Sequence, residues 1–181
     1  MRLRRPRRVL VLGGARSGKS RYAEDLLGSR TDVDYVACGL VADGSDPEWD
    51  DRVALHRARR PASWRTLETV DLPGVLRSPG PPVLLDCLST WLARTMDDCG
   101  TWTDAPDADH RLAAAVDAAV EAWTATARPV VAVSNEVGSG VVPATPSGRR
   151  YRDELGGLNA RIAAASDRVW LMTAGLPQRL R

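Results

Sequence analysis

The sequence predicts a three-layered α/β fold, a mostly parallel sheet with helices on both faces, and three observations lead there. Five short runs rich in apolar and β-branched residues recur along the chain: Val9 to Leu12, Val33 to Ala37, Val83 to Leu85, Val130 to Ser134 and Arg168 to Met172. Helical patterns fill the spaces between them. The first run ends in a glycine-rich turn, Gly13 to Gly18, which opens the first helical pattern. The runs are near-continuously apolar rather than alternating, as strands covered on both faces are. Alternation of such strands with helices is the rhythm of a parallel sheet.

The helical patterns occupy Lys19 to Gly28, Pro47 to Arg60, Leu88 to Met96, the alanine-rich Ala108 to Ala127, and Arg150 to Ser166. Asp46 and Pro47 make a good start for the second, an N-cap followed by a proline at the first helical position. Two segments break the rhythm and are expected as loops: Asp71 to Pro82, rich in Pro and Gly, and Gly138 to Gly148. The second is long enough to serve as an active-site flap.

With 181 residues, 44% of them hydrophobic, the chain is long enough to bury one core and too short for two comfortable domains. A single domain over residues 1–181 is expected, with a basic, frayed start that includes Arg2, Arg4, Arg5, Arg7 and Arg8. A net charge of +2, from 25 basic and 23 acidic residues, lacks the imbalance of a dedicated nucleic-acid binder and points to small anions as partners. No apolar stretch approaches the roughly 18 residues of a membrane span. The short run after the basic start is no signal peptide. Cys38, Cys87 and Cys99 are odd in number and irregular in spacing, which indicates neither a disulfide framework nor a zinc site and suggests the cytoplasm. Cys38 and Cys87 each end a predicted strand, where packing is their default role.

Gly13-Gly14-Ala15-Arg16-Ser17-Gly18-Lys19-Ser20 fits G-x-x-x-x-G-K-[ST] in the context that pattern requires, after a strand and before a helix. Its glycines let successive backbone N–H groups turn inward around phosphate oxygens, and the helix N-terminus adds partial positive charge. Lys19 would neutralise the β and γ phosphates and Ser20 would bind Mg²⁺. A purely steric glycine turn has no need of Lys-Ser after its last glycine. Moreover, Lys19 is the sole lysine of the chain, every other fixed cation being arginine. A compact ammonium kept only there suggests a position that arginine does not fill.

A second carboxylate to hold the metal is expected at a neighbouring strand end, and Asp86 after Val83-Leu84-Leu85 is placed for it, a helix N-cap being its alternative. Asn135 and Glu136 follow Val130 to Ser134 in the same way. Ligands of open α/β sheets collect at the carboxyl ends of strands, so all three point to one crevice. His56 falls with Trp49 and Val53 on the inward face of its helix, where a packed core histidine is the ordinary reading. Its neighbours Arg52, Arg57, Arg59 and Arg60 suit a polyphosphate better than an apolar core. They would depress its pKa and leave a neutral imidazole able to attack phosphorus, so from spacing alone both readings stand. His110, beside Asp107 and Asp109, reads as surface.

Four segments together resemble one family, the bifunctional adenosylcobinamide kinase and adenosylcobinamide-phosphate guanylyltransferase of cobalamin biosynthesis. They are Gly13 to Arg21; His56-Arg57-Ala58-Arg59-Arg60-Pro61-Ala62-Ser63-Trp64-Arg65-Thr66; Asn135-Glu136-Val137-Gly138-Ser139-Gly140-Val141-Val142-Pro143; and Arg152 to Asn159. The resemblance runs nearly end to end. It implies a RecA-type core, a trimer, and two reactions: phosphorylation of adenosylcobinamide by ATP or GTP, then transfer of GMP from GTP to adenosylcobinamide phosphate through a GMP–histidine at the position of His56. It also implies nucleotide contacts at Gly13 to Ser20, at Ala37, Cys38 and Gly39, at Arg57, Ala58, Arg59 and Arg60, and at Glu68 and Asp86. No general base for the kinase step stands out; Glu136, at a strand end, is the candidate. Two readings compete with the family's: a single-activity small-molecule P-loop kinase with a structural His56, and a nucleotide-dependent switch.

Overall fold

The computed structural model describes residues 7–39, 47–103 and 105–181, without the side chains at 48–50, 52, 55 and 56. Expectations for Arg2, Arg4, Arg5 and Asp46, and for the side chains of Trp49, Arg52 and His56, lie outside the described residues. The elements run β1 (Arg8–Gly13), α1 (Lys19–Leu27), β2 (Asp34–Ala37), α2 (Pro47–Ala58), β3 (Arg65–Glu68), α3 (Leu72–Arg77), β4 (Val83–Asp86) and α4 (Leu88–Asp98). A 3-10 turn at Thr101–Thr103 follows, then α5 (Ala108–Ala125), β5 (Val130–Asn135), α6 (Pro146–Ala164), β6 (Arg168–Thr173) and β7 (Leu176–Arg179).

All seven strands form one sheet in the order β3-β2-β4-β5-β1-β6-β7. Every pairing is parallel except the β6–β7 hairpin at one edge. Alternation along the strands sends side chains to two cores. Leu10, Leu12, Val36 and Leu85 join Trp91, Leu112, Trp123, Leu155 and Ile162 from α4, α5 and α6. Val9, Val11, Tyr35, Leu84 and Val133 join Ala23 and Leu27 of α1, with Trp64, on the opposite face. Helices on both faces explain why β1, β4 and β5 each carry a near-continuous apolar run, the signal that made them legible.

Two edge strands escaped that signal. β3 reads Arg-Thr-Leu-Glu with exposed ends, and β7 reads Leu-Pro-Gln-Arg with every residue exposed. Proline is tolerated in β7 because an edge strand has one unpaired side. The segment Asp71 to Pro82 is not wholly a loop. Asp71 caps α3 by accepting a hydrogen bond from Gly74 N (2.9 Å), Pro73 sits in the first turn, and Leu72 and Leu76 are buried. Helix α6 likewise starts at Pro146 rather than Arg150, capped by Thr145 Oγ1, which accepts from Gly148 N at 3.1 Å. A loop composition concealed both helix starts because Asp-x-Pro and Thr-Pro are capping signals as well as turn signals.

Away from the carboxyl ends, the sheet is pinned by a buried charge cluster. Asp34, 1% exposed, accepts from Arg128 Nη2 at 2.5 Å and from Arg65 Nε and Nη2 at 2.8 and 2.9 Å. Arg128 also donates to the carbonyls of Pro81 (2.8 Å) and Val75 (3.0 Å), so its guanidinium, just ahead of β5, ties β2 to α3 and to the segment leading into β4. Burial by itself would push the Asp34 carboxyl up, but the two arginines outweigh it and hold it below its ordinary value. Arg65 is largely solvent-exposed, so its share is screened. Arg128, at 6% exposure, is shielded from that screening.

Asp34→Ala leaves a buried guanidinium without its anion and is expected to destabilise the fold by about 3–5 kcal/mol, measured by urea unfolding near neutral pH. Because the Asp34 pKa is lower in the folded than in the unfolded chain, its contribution is complete above about pH 4. It is lost as pH falls through the lower folded value, and that part of the acid limb of the stability curve should flatten in the variant.

Candidate active site

Parallel register brings the expected residues to one edge of the sheet. Glu68 of β3 pairs in register with Ala37 of β2, Ala37 with Asp86 of β4, and Asp86 with Val133 of β5; two residues further on, Asn135 pairs with Gly13 of β1. Cys38 and Gly39 continue past the end of β2, and the Gly39 carbonyl accepts from Arg94 Nη1 at 3.4 Å. The strand bearing Asp86 is not next to the strand feeding the glycine-rich turn, since β5 lies between them. Ser20, at the start of α1, nevertheless reaches Asp86 across that gap.

The turn from Gly13 to Ser20 is held from within and behind. Gly18 N-caps α1 at φ 89°, where a Cβ would be strained, and no side chain caps the helix. The first N–H groups of α1 thus lack intrahelical acceptors, which is the geometry that receives phosphate. Arg16 also adopts a left-handed conformation (φ 55°). Lys19 Nζ donates to the Gly14 carbonyl at 3.0 Å, folding the ammonium back over the loop. A Cβ on Gly13 would come within 2.4 Å of Ser17 Oγ and 2.8 Å of the Met172 carbonyl. Ser17 Oγ is buried with no hydrogen-bond partner, while the Ser17 carbonyl accepts from Gly175 N (3.1 Å) in the β6–β7 turn. The hairpin missed in the sequence thus braces the loop.

Asp86 faces the α1 side of the sheet. Ser20 Oγ donates to its Oδ1 at 3.4 Å, and Tyr35 OH donates to its Oδ2 at 3.1 Å. It does not cap α4; that position belongs to Cys87, which makes no side-chain cap bond. Cys87 Sγ instead lies 2.8 Å from Ser89 Oγ and 3.1 Å from Thr90 Oγ1. Burial pushes the Cys38 thiol well above its ordinary range, in keeping with inert packing. A hydroxyl and a carboxylate together at the mouth of the loop form an all-oxygen donor pair, the chemistry that suits Mg²⁺. Among the described residues no three or more His, Cys, Asp or Glu side chains gather as a protein-only metal cage. Mg²⁺ in nucleotide sites takes one or two protein oxygens and fills its shell with phosphate and water, so this pair fits it.

His56 lies on α2 near its C-terminal end. The arginines that follow fasten that end to the crevice. Arg57 Nη2 is 3.7 Å from Glu68 Oε1, and Arg59 Nη2 is 3.4 Å from Glu24 Oε1 on α1. The Arg60 guanidinium lies over the Tyr35 ring, 3.5 Å from its centroid, and its Nη1 is 3.4 Å from Thr66 Oγ1. Glu136 continues from β5; its N–H donates to the Gly13 carbonyl (3.1 Å) and its Oε1 accepts from Gly138 N (2.7 Å). Asn159 of α6 supports the same bend, donating to the Asn135 carbonyl at 3.0 Å. Sequence reasoning passed over Tyr35 and Gly175, because a tyrosine inside an apolar strand reads as core and a glycine in a hairpin reads as a turn.

A glycine-rich phosphate loop at the edge of a parallel sheet, with Lys-Ser at its end and a carboxylate two strands away, defines a P-loop nucleotide-binding enzyme. Residues 9–180 match the family described as cobinamide kinase / cobinamide phosphate guanyltransferase. The chain is 43% identical to the bifunctional adenosylcobalamin biosynthesis protein CobP of Pseudomonas aeruginosa, covering 96% of this chain and 97% of that one. It is 36% identical to the bifunctional adenosylcobalamin biosynthesis protein CobU of Escherichia coli, over 96% and 99% of the two chains. The CobU of Salmonella typhimurium matches at the same 36% identity and the same coverage. A looser likeness, at TM-score 0.40 and 13% identity over 96% of this chain and 53% of the other, is to the P4 protein from bacteriophage phi6 in complex with ADP. The chain belongs to the cobinamide kinase / cobinamide phosphate guanyltransferase family.

Gly13→Ala must displace both the Ser17 side chain and the Met172 backbone, and the backbone has no easy alternative. Overpacking of that kind is expected to weaken ATP and GTP binding about ten- to a hundredfold, read by nucleotide titration, with the melting temperature changed far less.

Proposed function

We propose that this chain carries out both reactions of its family in one crevice: phosphorylation of adenosylcobinamide with ATP or GTP, then transfer of GMP from GTP to give adenosylcobinamide-GDP. The observation that carries the reading is the convergence of the Lys19 loop, Asp86 and the arginine-bearing end of α2 on the same strand ends.

In the kinase step, Lys19 and the N–H groups of Gly13 to Ser20 bind the β and γ phosphates and take up charge as the γ-phosphoryl passes to the cobinamide hydroxyl. Ser20 and Asp86 would hold Mg²⁺, which supplies charge neutralisation on the phosphates when bound. Glu136, beside the Gly13 carbonyl, is the candidate to receive the hydroxyl proton. Ala37, Cys38, Gly39 and Glu68 are proposed to line the nucleoside side of the same edge.

In the guanylyl step, a His56 nitrogen attacks the α-phosphorus of GTP. The new P–N bond replaces the bond to pyrophosphate, whose charge Arg57, Arg59 and Arg60 offset as it leaves. An oxygen of adenosylcobinamide phosphate then attacks the same phosphorus, breaks the P–N bond and frees the imidazole. Ala58 contributes backbone at this end of α2. The assembly is proposed as a homotrimer working in the cytoplasm; no described helix is long and apolar enough to cross a membrane.

His56→Ala should abolish covalent labelling by GTP carrying an α-phosphate label while kinase activity persists, a result read by gel autoradiography and product mass; persistent labelling would move the nucleophile to another residue. Glu136→Gln is expected to lower the kinase turnover at least about a hundredfold, within the range of general-base contributions, with nucleotide affinity nearly unchanged. An unaltered turnover removes Glu136 from the mechanism.

A further inference from the structure

Tyr35 sits in the middle of β2, 5% exposed, and its side chain joins two parts of the crevice that the two reactions use separately. Its hydroxyl donates to Asp86 Oδ2 (3.1 Å), while the other carboxylate oxygen, Oδ1, accepts from Ser20 of the phosphate loop. Its ring carries the guanidinium of Arg60 at 3.5 Å, just beyond the end of α2. A chain of contacts therefore runs from the arginine segment through the ring and hydroxyl of Tyr35 to Asp86 and Ser20. A carboxylate held at both oxygens has one orientation, and a guanidinium stacked on a buried ring loses little further freedom when it meets phosphate.

We propose that Tyr35 is a positioning residue of this site: its hydroxyl fixes the Asp86 carboxylate toward Ser20, and its ring seats Arg60, so one side chain sets the geometry of both reactions. The role deepens the reading of the site given above and rests on Asp86 serving the phosphates. A tyrosine that only filled the core would act through ring volume alone. Phenylalanine would then replace it without loss at the site.

Tyr35→Phe, Tyr35→Leu, Asp86→Asn and the Phe/Asn double variant separate these cases. For Tyr35→Phe the kinase kcat should fall about tenfold, the size of one lost hydrogen bond to a charged group, with KM for ATP within about twofold. GDP affinity in EDTA should be unchanged, the further gain in affinity on adding Mg²⁺ should shrink, and labelling by α-labelled GTP should persist because the ring remains. Tyr35→Leu should in addition slow that labelling about tenfold, through loss of the Arg60 seat. In the Asp86→Asn background, Tyr35→Phe should cost nothing more.

A wild-type kcat for Tyr35→Phe beside an impaired Asp86→Asn overturns the proposal alone. A wild-type rate for Asp86→Asn overturns the reading of Asp86 and the proposal with it. Multiplying losses in the double variant, or a Phe variant whose KM, kcat and melting temperature deteriorate together, would show Tyr35 acting through something other than Asp86. Labelling at the wild-type rate in a folded Tyr35→Leu overturns the Arg60 part. The Phe variant keeps the ring and decides the Asp86 part even where the Leu variant fails to fold.

Discussion

Parallel pairing of β1 with β5, and of β5 with β4, is the constraint on which the site depends. Backbone hydrogen bonds in that register bring Gly13 level with Asn135 and Asp86 level with Val133, at the same edge of the sheet. Parallel strands need crossover connections, so each of these strands feeds a separate loop at that edge instead of turning back into its neighbour. The glycine-rich loop, Asp86 and Glu136 are consequently neighbours in space while more than a hundred residues separate the first from the last in sequence. Had the sheet been built from hairpins, the strand ends would alternate and no such row would exist.

The same register gives Asp86 its surroundings. Its side chain falls on the face that packs against α1, alongside Tyr35 of β2 and within reach of Ser20 at the start of that helix. Two hydroxyls on one carboxylate form a bridge over two strands and a helix. Removal of either would leave a half-buried charge with one oxygen less well satisfied, and in a site of low dielectric that matters more than it would in water. The P-loop itself leans on the β6–β7 turn through Gly175 and on β6 through Met172, so the edge hairpin, outwardly the least regular part of the sheet, shapes the phosphate cradle from behind.

Burial separates the arginine that pins the sheet from those proposed to meet phosphate. Arg128 is buried and spends its donors on Asp34 and on two carbonyls. Arg57 and Arg59 are exposed and reach acidic partners over 3.7 and 3.4 Å, contacts loose enough for a polyphosphate to compete for them. Composition counts these residues alike; burial tells them apart.

The sequence by itself determined the α/β class, the strands buried on both faces, the phosphate loop and the family, because each is written in local pattern: apolar runs, a glycine spacing, short motifs in a fixed order. It left β3, β7, the whole of α3 and the start of α6 unread, since an edge strand is not required to be apolar and Asp-x-Pro or Thr-Pro serves a cap as well as a turn. Tertiary structure alone decided that Ser20, Asp86 and Tyr35 share a hydrogen-bonded bridge, that Arg60 rests on Tyr35, and that Gly175 backs the loop. These contacts link residues dozens of positions apart through strand order and register, and backbone pairing between distant segments leaves no periodic trace in the residues it joins.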